Sequence, residues 1–313
     1  MSHGRPPANR LRPLDAWPLA ARAGLVGVLT DIDDTLTTEG QVPASTLAAM
    51  GALRQAGLAV IAITGRPVGW SLPFAATWPI DAIVAENGAV ALLPAHTRLP
   101  HRPDGVAAID APSPCVGPTQ RPDSPDAHRP RSDRGEPPAV RRLYQQDADV
   151  RGRNFARLQQ IASAIEHAVP GAHRASDSGG RETDIAIDHS EHHLLDARRI
   201  DQVVHLMRAA GLHASVSSIH INGWFGEHDK RQGAQWIVQS LLDRDLAAER
   251  ERWAYIGDST NDQRMFDWMP HSLGVANVRR FVLQLDHFPA YITPGERGLG
   301  FEEMAQAILT SRG

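Results

Sequence analysis

Residues 27–40 read GVLTDIDDTLTTEG, an apolar run followed at once by three carboxylates, Asp31, Asp33 and Asp34. The apolar part, residues 24–30, is short and ends at polar residues, which is typical of a strand covered on both faces. Clustered carboxylates repel one another and resist ionising together unless a cation compensates their charge. A buried strand that ends in this much negative charge therefore indicates a site that holds a metal ion and performs chemistry.

The elements that follow this stretch alternate between helices and strands. A helix is predicted over residues 43–57, because proline suits a helix start and apolar residues recur at helical spacing. Residues 58–64 and 80–93 are typical of buried strands, the second with a turn at Asn87-Gly88. The same alternation returns from residue 230 onward. This order predicts an α/β fold, a doubly wound parallel sheet to which both halves of the chain contribute.

The middle of the chain has another order of strand and helix patterns, which predicts a separate α+β domain inserted into the first. Residues 94–138 contain 11 of the 23 prolines and almost no periodicity, so we predict a disordered insertion within a hairpin of the inserted domain. The expected organisation is a flexible leader at residues 1–22, a core at residues 23–92 plus 218–313, and the inserted domain at residues 93–217.

Composition excludes several classes of function. The chain has 313 residues, 42% hydrophobic and 22% charged, with a net charge of −4, which predicts a soluble protein without the basic field that attracts nucleic acid or an anionic membrane. The single cysteine, Cys115, can form no internal disulfide, and no apolar stretch of signal-peptide type occurs near the N-terminus. These features predict a cytoplasmic location.

Polar residues recur at the ends of the predicted parallel strands. Asp31 and Asp33 follow the first strand, Thr64 ends the second, and Asp258 follows the strand RWAYIG. Because ligands of open α/β sheets bind beyond the carboxyl ends of the strands, we expect the fold to gather these residues. Mg²⁺ is bound by one or two carboxylates, waters and phosphate oxygens, so the cluster predicts a magnesium site.

Four short motifs carry a resemblance to a known family, namely DIDDT (31–35), AITGRP (62–67), DK (229–230) and GDSTND (257–262). In this order and setting they resemble the motifs of the haloacid dehalogenase-like phosphohydrolases. The distance from Thr64 to Lys230, 230 − 64 = 166 residues, far exceeds one crossover helix. The chain is therefore similar to subfamily IIB, the sugar phosphatases and phosphomannomutases, in which a cap domain is inserted between motifs two and three.

The resemblance implies a role for each matched residue. Asp31 would be the nucleophile that forms an aspartyl phosphate. Asp33 would protonate the leaving oxygen as a general acid and then activate water as a general base. Lys230 would neutralise the nucleophile and the phosphoryl group in transfer. Thr64 and the backbone amide of Gly65 would bind phosphoryl oxygens.

The resemblance also implies a Mg²⁺ site and its ligands. Asp258 would bind the metal together with the Asp31 side chain and the Asp33 carbonyl. Asn261 and Asp262 would support the metal or its waters from the following helix.

Arg66, Arg181 and Glu182 are weaker candidates for substrate binding. The planar fork of Arg66 could reach phosphate, but a surface arginine at a helix start fits the pattern equally well. Arg181 and Glu182 precede a strand of the cap, where the resemblance implies sugar recognition, and an ordinary charged turn is the alternative. Asp34 is expected to face away from the site into solvent.

The function that the resemblance implies is a Mg²⁺-dependent phosphatase for a small phosphorylated metabolite, with a sugar phosphate favoured and no nucleic-acid or membrane partner. A phosphomannomutase-like phosphotransferase stays open, because NGWFGEHDK (222–230) has some likeness to those enzymes, although GDSTND is shorter than their fourth motif. A non-catalytic sugar-phosphate-binding regulator is less favoured, because binding needs no nucleophile and the chain carries both Asp31 and Asp33.

Overall fold

The computed structural model describes residues 11–95, 97 and 140–312. Its strands are β1 (Arg12–Pro13), β2 (Gly27–Thr30), β3 (Ala59–Ile63), β4 (Ala82–Ala85), β5 (Val90–Leu93), β6 (Arg141–Tyr144), β7 (His173–Arg174), β8 (Asp184–Asp188), β9 (His213–Val216), β10 (His220–Trp224), β11 (Trp253–Gly257), β12 (His271–Gly274) and β13 (Tyr291–Ile292). Its α-helices are α1 (Leu19–Ala23), α2 (Ala44–Gln55), α3 (Val68–Thr77), α4 (Ala148–Ala168), α5 (Ala197–Ala209), α6 (Lys230–Leu242), α7 (Gln263–Trp268) and α8 (Arg297–Thr310). Over the described part of the chain, no helix combines the length and apolarity needed to cross a membrane.

The larger sheet has nine strands in the order β1-β13-β12-β11-β2-β3-β4-β5-β6, and it is parallel from β1 to β4. Successive residues of a strand point to opposite faces, so Val28 and Leu29 of β2 belong to two different apolar clusters. Helices α2, α3 and α8 contribute to the first cluster, and α6 and α7 contribute to the second. The predicted doubly wound sheet, built from both halves of the chain, is confirmed.

The smaller sheet is antiparallel, with strands in the order β7-β8-β10-β9. Helices α4 and α5 pack on it through a separate apolar cluster that includes Leu158, Val203, Met207 and Ile221, all nearly inaccessible to solvent. In sequence this α+β unit lies between β6 and α6, and therefore between the second and third motifs. We call it the cap and the rest the core.

The hairpin formed by β5 and β6 differs from the prediction, which assigned it to the inserted domain. Strand β6 pairs antiparallel with β5, Val90 opposite Tyr144 and Leu93 opposite Arg141, at the edge of the larger sheet. The tight turn at Asn87-Gly88 folds β5 back onto β4, so the strand that pairs with β5 must join the same sheet. The predicted proline-rich insertion, residues 94–138, lies outside the described residues apart from 94, 95 and 97.

The predicted flexible leader is wrong for residues 11–22. Arg12 pairs in parallel with Tyr291, and Trp17 is completely buried, with its Nε1 donating to Nδ1 of His271 at 3.3 Å. Because prolines and arginines interrupt the few apolar residues of this stretch, no clear helix or strand pattern is present, and the sequence did not indicate this docking. Residues 1–10 lie outside the described residues.

Candidate active site

Four polar side chains follow neighbouring parallel strands at one edge of the larger sheet. Asp31 comes directly after β2, Thr64 after β3, Glu86 after β4, and Asp258 after β11. The strands β11, β2, β3 and β4 are adjacent and parallel, so their carboxyl ends meet at this edge. The fold therefore brings residues from distant parts of the sequence to one site, as the sequence predicted.

Lys230, the first residue of α6, lies at the centre of the site. Its Nζ is 2.6 Å from Oδ1 of Asp31 and 2.7 Å from Oδ1 of Asp262. One oxygen each from Asp31, Asp258 and Asp262 lies within 4.8 Å of the others, and all three residues are buried. Three carboxylates thus face one ammonium group with little access to solvent.

Burial raises the pKa of Asp31 to about 7, although the nearby Lys230 opposes the rise. Burial, together with the charges of Asp31 and Asp262, raises the pKa of Asp258 well above its usual range. Burial alone would lower the pKa of Lys230, but Asp262 and Asp31 outweigh it and raise that pKa, so the ammonium stays protonated. The excess of carboxylates over cations is the charge that a divalent cation would offset.

Asp258 has the free acceptor that a metal ligand needs. Its Oδ1 is buried and has no hydrogen-bond partner among the described residues, whereas Oδ2 accepts a hydrogen bond from Nδ2 of Asn277 at 3.2 Å. An orphaned carboxylate oxygen beside Asp31, in an all-oxygen donor set, fits Mg²⁺. Asp31 and Asp258 are therefore the side chains that would hold the ion.

Asp262 is engaged in a different way. Its Oδ1 accepts from Lys230 and from the Tyr255 hydroxyl, and its Oδ2 accepts from the backbone amides of Asp258 and Ser259 at 2.9 and 3.0 Å. These four donors fix Asp262 as a partner of Lys230 and of the loop after β11. Asn261 lies half-exposed beside it, and its Oδ1 accepts from Oγ of Ser259 at 2.9 Å.

Thr64 and Gly65 form a buried turn after β3. Oγ1 of Thr64 accepts from the Arg66 amide at 3.0 Å, which leaves the hydroxyl hydrogen free to donate. The carbonyl oxygen of Gly65 accepts from Nη1 of Arg181 at 3.1 Å and from Nδ2 of Asn222 at 3.2 Å. The cap thereby contacts the backbone of the second motif directly.

Arg66 is buried and faces carboxylates. Its Nε lies 3.0 Å from both side-chain oxygens of Asp33, its Nη1 lies 3.1 Å from Asp177 and its Nη2 lies 2.8 Å from Glu191. Arg66 is therefore not a surface arginine, and its guanidinium already binds carboxylates at the positions where it would bind a phosphate. Its role in substrate binding stays a prediction. Asp34, which was expected in solvent, is half-buried and forms an ion pair with Arg297 at 3.0 Å.

The charged groups of Arg181 and Glu182 both bind other side chains of the protein. Arg181 is buried and forms ion pairs with Asp184 at 2.8 Å and Asp177 at 3.0 Å. The Glu182 carboxylate accepts from Arg142 at 3.0 Å and from the hydroxyl of Tyr144 at 2.7 Å, both on β6. The structure does not bring Glu182 together with Asp31, and the role of these residues in substrate binding stays a prediction.

Glu86, Asn277 and Tyr255 belong to the site and were not predicted. Glu86 is completely buried and accepts from the amides of Val68 at 3.1 Å and Thr183 at 2.6 Å. Burial and the charge of Asp184 raise its pKa to about 7. Glu86 and Asn277 lie shortly after β4 and β12, so the strand-end pattern that found Asp31 applied to them as well. Tyr255 lies inside a strand and carries no such signal.

A groove of about 620 Å³ runs between the cap and the core and reaches Lys230 and Asn87. His213, Trp224 and His228 line it, and the three rings are stacked in sequence with centroids 6.1 and 5.7 Å apart. Asn261 also lines it. We call this feature the cap groove.

A family model described as haloacid dehalogenase-like hydrolase matches residues 28–99, which include the first two motifs. No curated protein matches the chain.

Solved structures with the same fold cover both the core and the cap. A HAD/COF-like hydrolase from Plasmodium vivax is 15% identical, with a TM-score of 0.57 over 94% of this chain and 99% of its own. The sucrose-phosphatase of Synechocystis, solved with sucrose and phosphate, is 14% identical, with a TM-score of 0.56 over 91% and 98%. A HAD subclass IIB sugar phosphatase is 13% identical, with a TM-score of 0.51 over 90% and 96%.

Proposed function

We propose that this chain, which belongs to the haloacid dehalogenase-like hydrolases, is a Mg²⁺-dependent phosphatase that hydrolyses a small phosphate monoester. The observation that carries the proposal is the buried Asp31 carboxylate, held 2.6 Å from Lys230 Nζ beside the orphaned oxygen of Asp258. A nucleophile, a fixed cation and a metal-ligating carboxylate are the groups that phosphoryl transfer requires.

The proposed reaction has two steps, and both pass through Asp31. In the first, an oxygen of Asp31 attacks phosphorus, the bond from phosphorus to the leaving oxygen breaks, and Asp33 gives that oxygen its proton. In the second, water attacks the aspartyl phosphate, its proton goes to Asp33, and the Asp31–phosphorus bond breaks to release inorganic phosphate. Both side chains return to their starting states.

Lys230, Thr64 and Gly65 would stabilise the phosphoryl group during these steps. The ammonium of Lys230 is already fixed by two carboxylates, so it needs no rearrangement as charge develops on the phosphoryl oxygens. The Thr64 hydroxyl and the Gly65 amide would donate hydrogen bonds to the same oxygens. Mg²⁺ held by Asp31, Asp258 and the Asp33 carbonyl would supply further positive charge there.

A sugar phosphate is the substrate class that we favour. The cap groove has room for a sugar-sized leaving group, and its walls combine hydrogen-bonding side chains with the exposed ring of His213. Two proteins of the same fold are named for activity on sugar phosphates. The single cysteine is compatible with a reducing cytoplasm as the place of action.

A screen of phosphate release from sugar phosphates, nucleotides and p-nitrophenyl phosphate, with Mg²⁺ or with excess EDTA, tests the proposal. We expect release with Mg²⁺, none with EDTA, and a loss of at least about a hundredfold in the Asp31→Asn variant, because an amide cannot act as the nucleophile. Full activity in EDTA would contradict the metal requirement. Transfer of phosphate to a second sugar, without release, would instead indicate a phosphotransferase.

A further inference from the structure

Arg66 joins Asp33 of the core to two carboxylates of the cap. Its Nε contacts both oxygens of Asp33, its Nη1 contacts Oδ2 of Asp177, and its Nη2 contacts Oε1 of Glu191, all at 2.8–3.1 Å. The Arg66 side chain is 8% exposed, and the Asp33 side chain is 15% exposed. One buried cation is therefore shared among three carboxylates, two of which belong to the cap.

Each of the two cap carboxylates is fixed by a second partner. Oδ1 of Asp177 accepts from Nη2 of Arg181 at 3.0 Å, and Oε2 of Glu191 lies 2.9 Å from Nε2 of the buried His220. The hydrogen bond with His220, and to a smaller extent that with Arg66, lowers the pKa of Glu191 to about 2. This carboxylate is therefore ionised. Rigid support of this kind sets the orientation of the Arg66 plane.

We propose that Asp177 and Glu191 of the cap are positioning residues that act through Arg66 to hold Asp33 in place for proton transfer. This inference rests on the proposed function, in which Asp33 protonates the leaving oxygen. It assigns to two cap residues a task in the chemistry of the core.

The physical argument concerns the geometry of the guanidinium. Its planar group is bound on two sides by cap carboxylates, so it presents Nε to Asp33 in one orientation. Small misplacements of catalytic groups are costly in rate.

The cap has other attachments to the core, so the Arg66 contacts can be weakened without detaching it. Glu86 accepts from the amides of Glu182 and Thr183 at 3.0 and 2.6 Å, and Thr260 donates to the carbonyl oxygen of Val216 at 2.6 Å. Substitution of Glu191 alone leaves these contacts in place. The inference can therefore be tested in a folded protein with its cap attached.

The experiment compares two esters that differ in their need for an acid. p-Nitrophenolate leaves as an anion, whereas the alkoxide of a sugar phosphate needs a proton. In Glu191→Gln and Asp177→Asn we measure the single-turnover rate of leaving-group release at saturating ester, because this rate reports the first step and not hydrolysis of the aspartyl phosphate. We expect it to fall about tenfold or more for the sugar phosphate that the wild type hydrolyses, and less than about threefold for p-nitrophenyl phosphate. Arg66→Lys, which keeps the charge and loses the fork, should give the same split.

Glu166→Gln is the matched control, because Glu166 is a cap carboxylate that pairs with Arg174 and does not contact Arg66. It should change neither rate. Equal losses for both esters, or no loss for either, would overturn the inference while leaving the phosphatase proposal intact. A wild type that hydrolyses no ester would overturn the proposed function and this inference with it. If Asp177→Asn fails to fold because it also loses an Arg181 partner, Glu191→Gln decides the question alone.

Discussion

At the scale of single residues, the site is a set of buried charges that are stable only as a group. Lys230 would be costly to bury alone, and so would Asp31 or Asp262, since an unpaired ion loses its hydration in the interior. Tyr255 and two backbone amides complete the hydrogen bonding of Asp262, which in turn fixes Lys230 against Asp31. The geometry at Asp31, the proposed nucleophile, thus depends on Asp262, to which the proposed mechanism gives no chemical step.

His228 gives a residue-scale prediction about pH. Its side chain is 4% exposed, and burial lowers its pKa from 6.5 to about 4. The unfolded chain binds this proton near pH 6.5 and the folded protein only near pH 4, so stability present above pH 6.5 is lost as pH falls through that window. His228→Phe keeps a ring against Trp224 and does not titrate. Between pH 7.5 and pH 5, the free energy of unfolding of His228→Phe should fall by up to about 2 kcal/mol less than that of the parent protein.

Urea unfolding at the two pH values measures this difference in the free energy of unfolding. The control is His205→Gln, at an exposed position on α5, which should keep the pH dependence of the parent. The prediction fails if His228→Phe and the parent lose the same stability on acidification.

Three of the residues that the sequence predicted share one property, which is that each lies in a short motif at the end of a strand. Asp31, Thr64 and Asp258 meet this description, and parallel pairing brings them together. Asp177 and Glu191 do not meet it, because they lie in cap loops, 111 and 125 positions from Arg66 in the sequence. Charged loop residues carry no periodicity, and only tertiary structure shows which arginine they contact.

At the scale of elements, the turn between β4 and β5 packs closely against the first turn of α6. Gly88 has a φ of +110°, and a Cβ at this position would lie 2.4 Å from the carbonyl oxygen of Asp229. A Cβ on Gly233 of α6 would lie 2.6 Å from the Cα of Gly88. The sequence predicted the turn and the helix separately, but the contact between their backbones depends on how the two elements pack in three dimensions.

We expect Gly88→Ala to move the first turn of α6 and with it Lys230. A displacement of about 1 Å at a catalytic group costs on the order of a hundredfold in rate, so kcat should fall by at least about tenfold. Gly57→Ala is the matched control, since Gly57 also has a positive φ, +82°, but a Cβ there meets nothing within 4 Å. It should lower stability by about 1 kcal/mol through backbone strain alone and leave kcat unchanged.

Phosphate-release kinetics and urea unfolding of the two variants separate steric displacement from strain. Equal kcat values for Gly88→Ala and Gly57→Ala would show that α6 tolerates the added methyl group, and the proposed link between this turn and Lys230 would then be wrong.

At the scale of the whole molecule, the cap meets the core through buried polar contacts. Arg181 donates to the Gly65 carbonyl oxygen, Glu86 accepts from Thr183, and Arg66 bridges to Asp177 and Glu191. Interfaces of this polar kind between domains permit relative motion more readily than large apolar ones. The contacts that attach the cap are also the ones that surround the second motif, so attachment of the cap and the order of the site are linked.

The hairpin of β5 and β6 yields the whole-molecule prediction, because it connects the chain on either side of residues 98–139. Leu93 already lies opposite Arg141, and Thr97 donates to the carbonyl oxygen of Asp81 at 3.2 Å, so the two ends are held by the larger sheet. Strand β6 is four strands away from β2 in that sheet. At the usual spacing between strands, it lies about 19 Å from β2, the strand that precedes Asp31.

Replacing residues 98–139 with a short Gly-Ser loop should therefore leave the Mg²⁺-dependent rate within about threefold, equivalent to less than about 1 kcal/mol of barrier. Phosphate release and circular dichroism of the shortened protein test this, and a loss of several orders of magnitude in a variant with an unchanged spectrum would mean that the replaced residues contribute to the site.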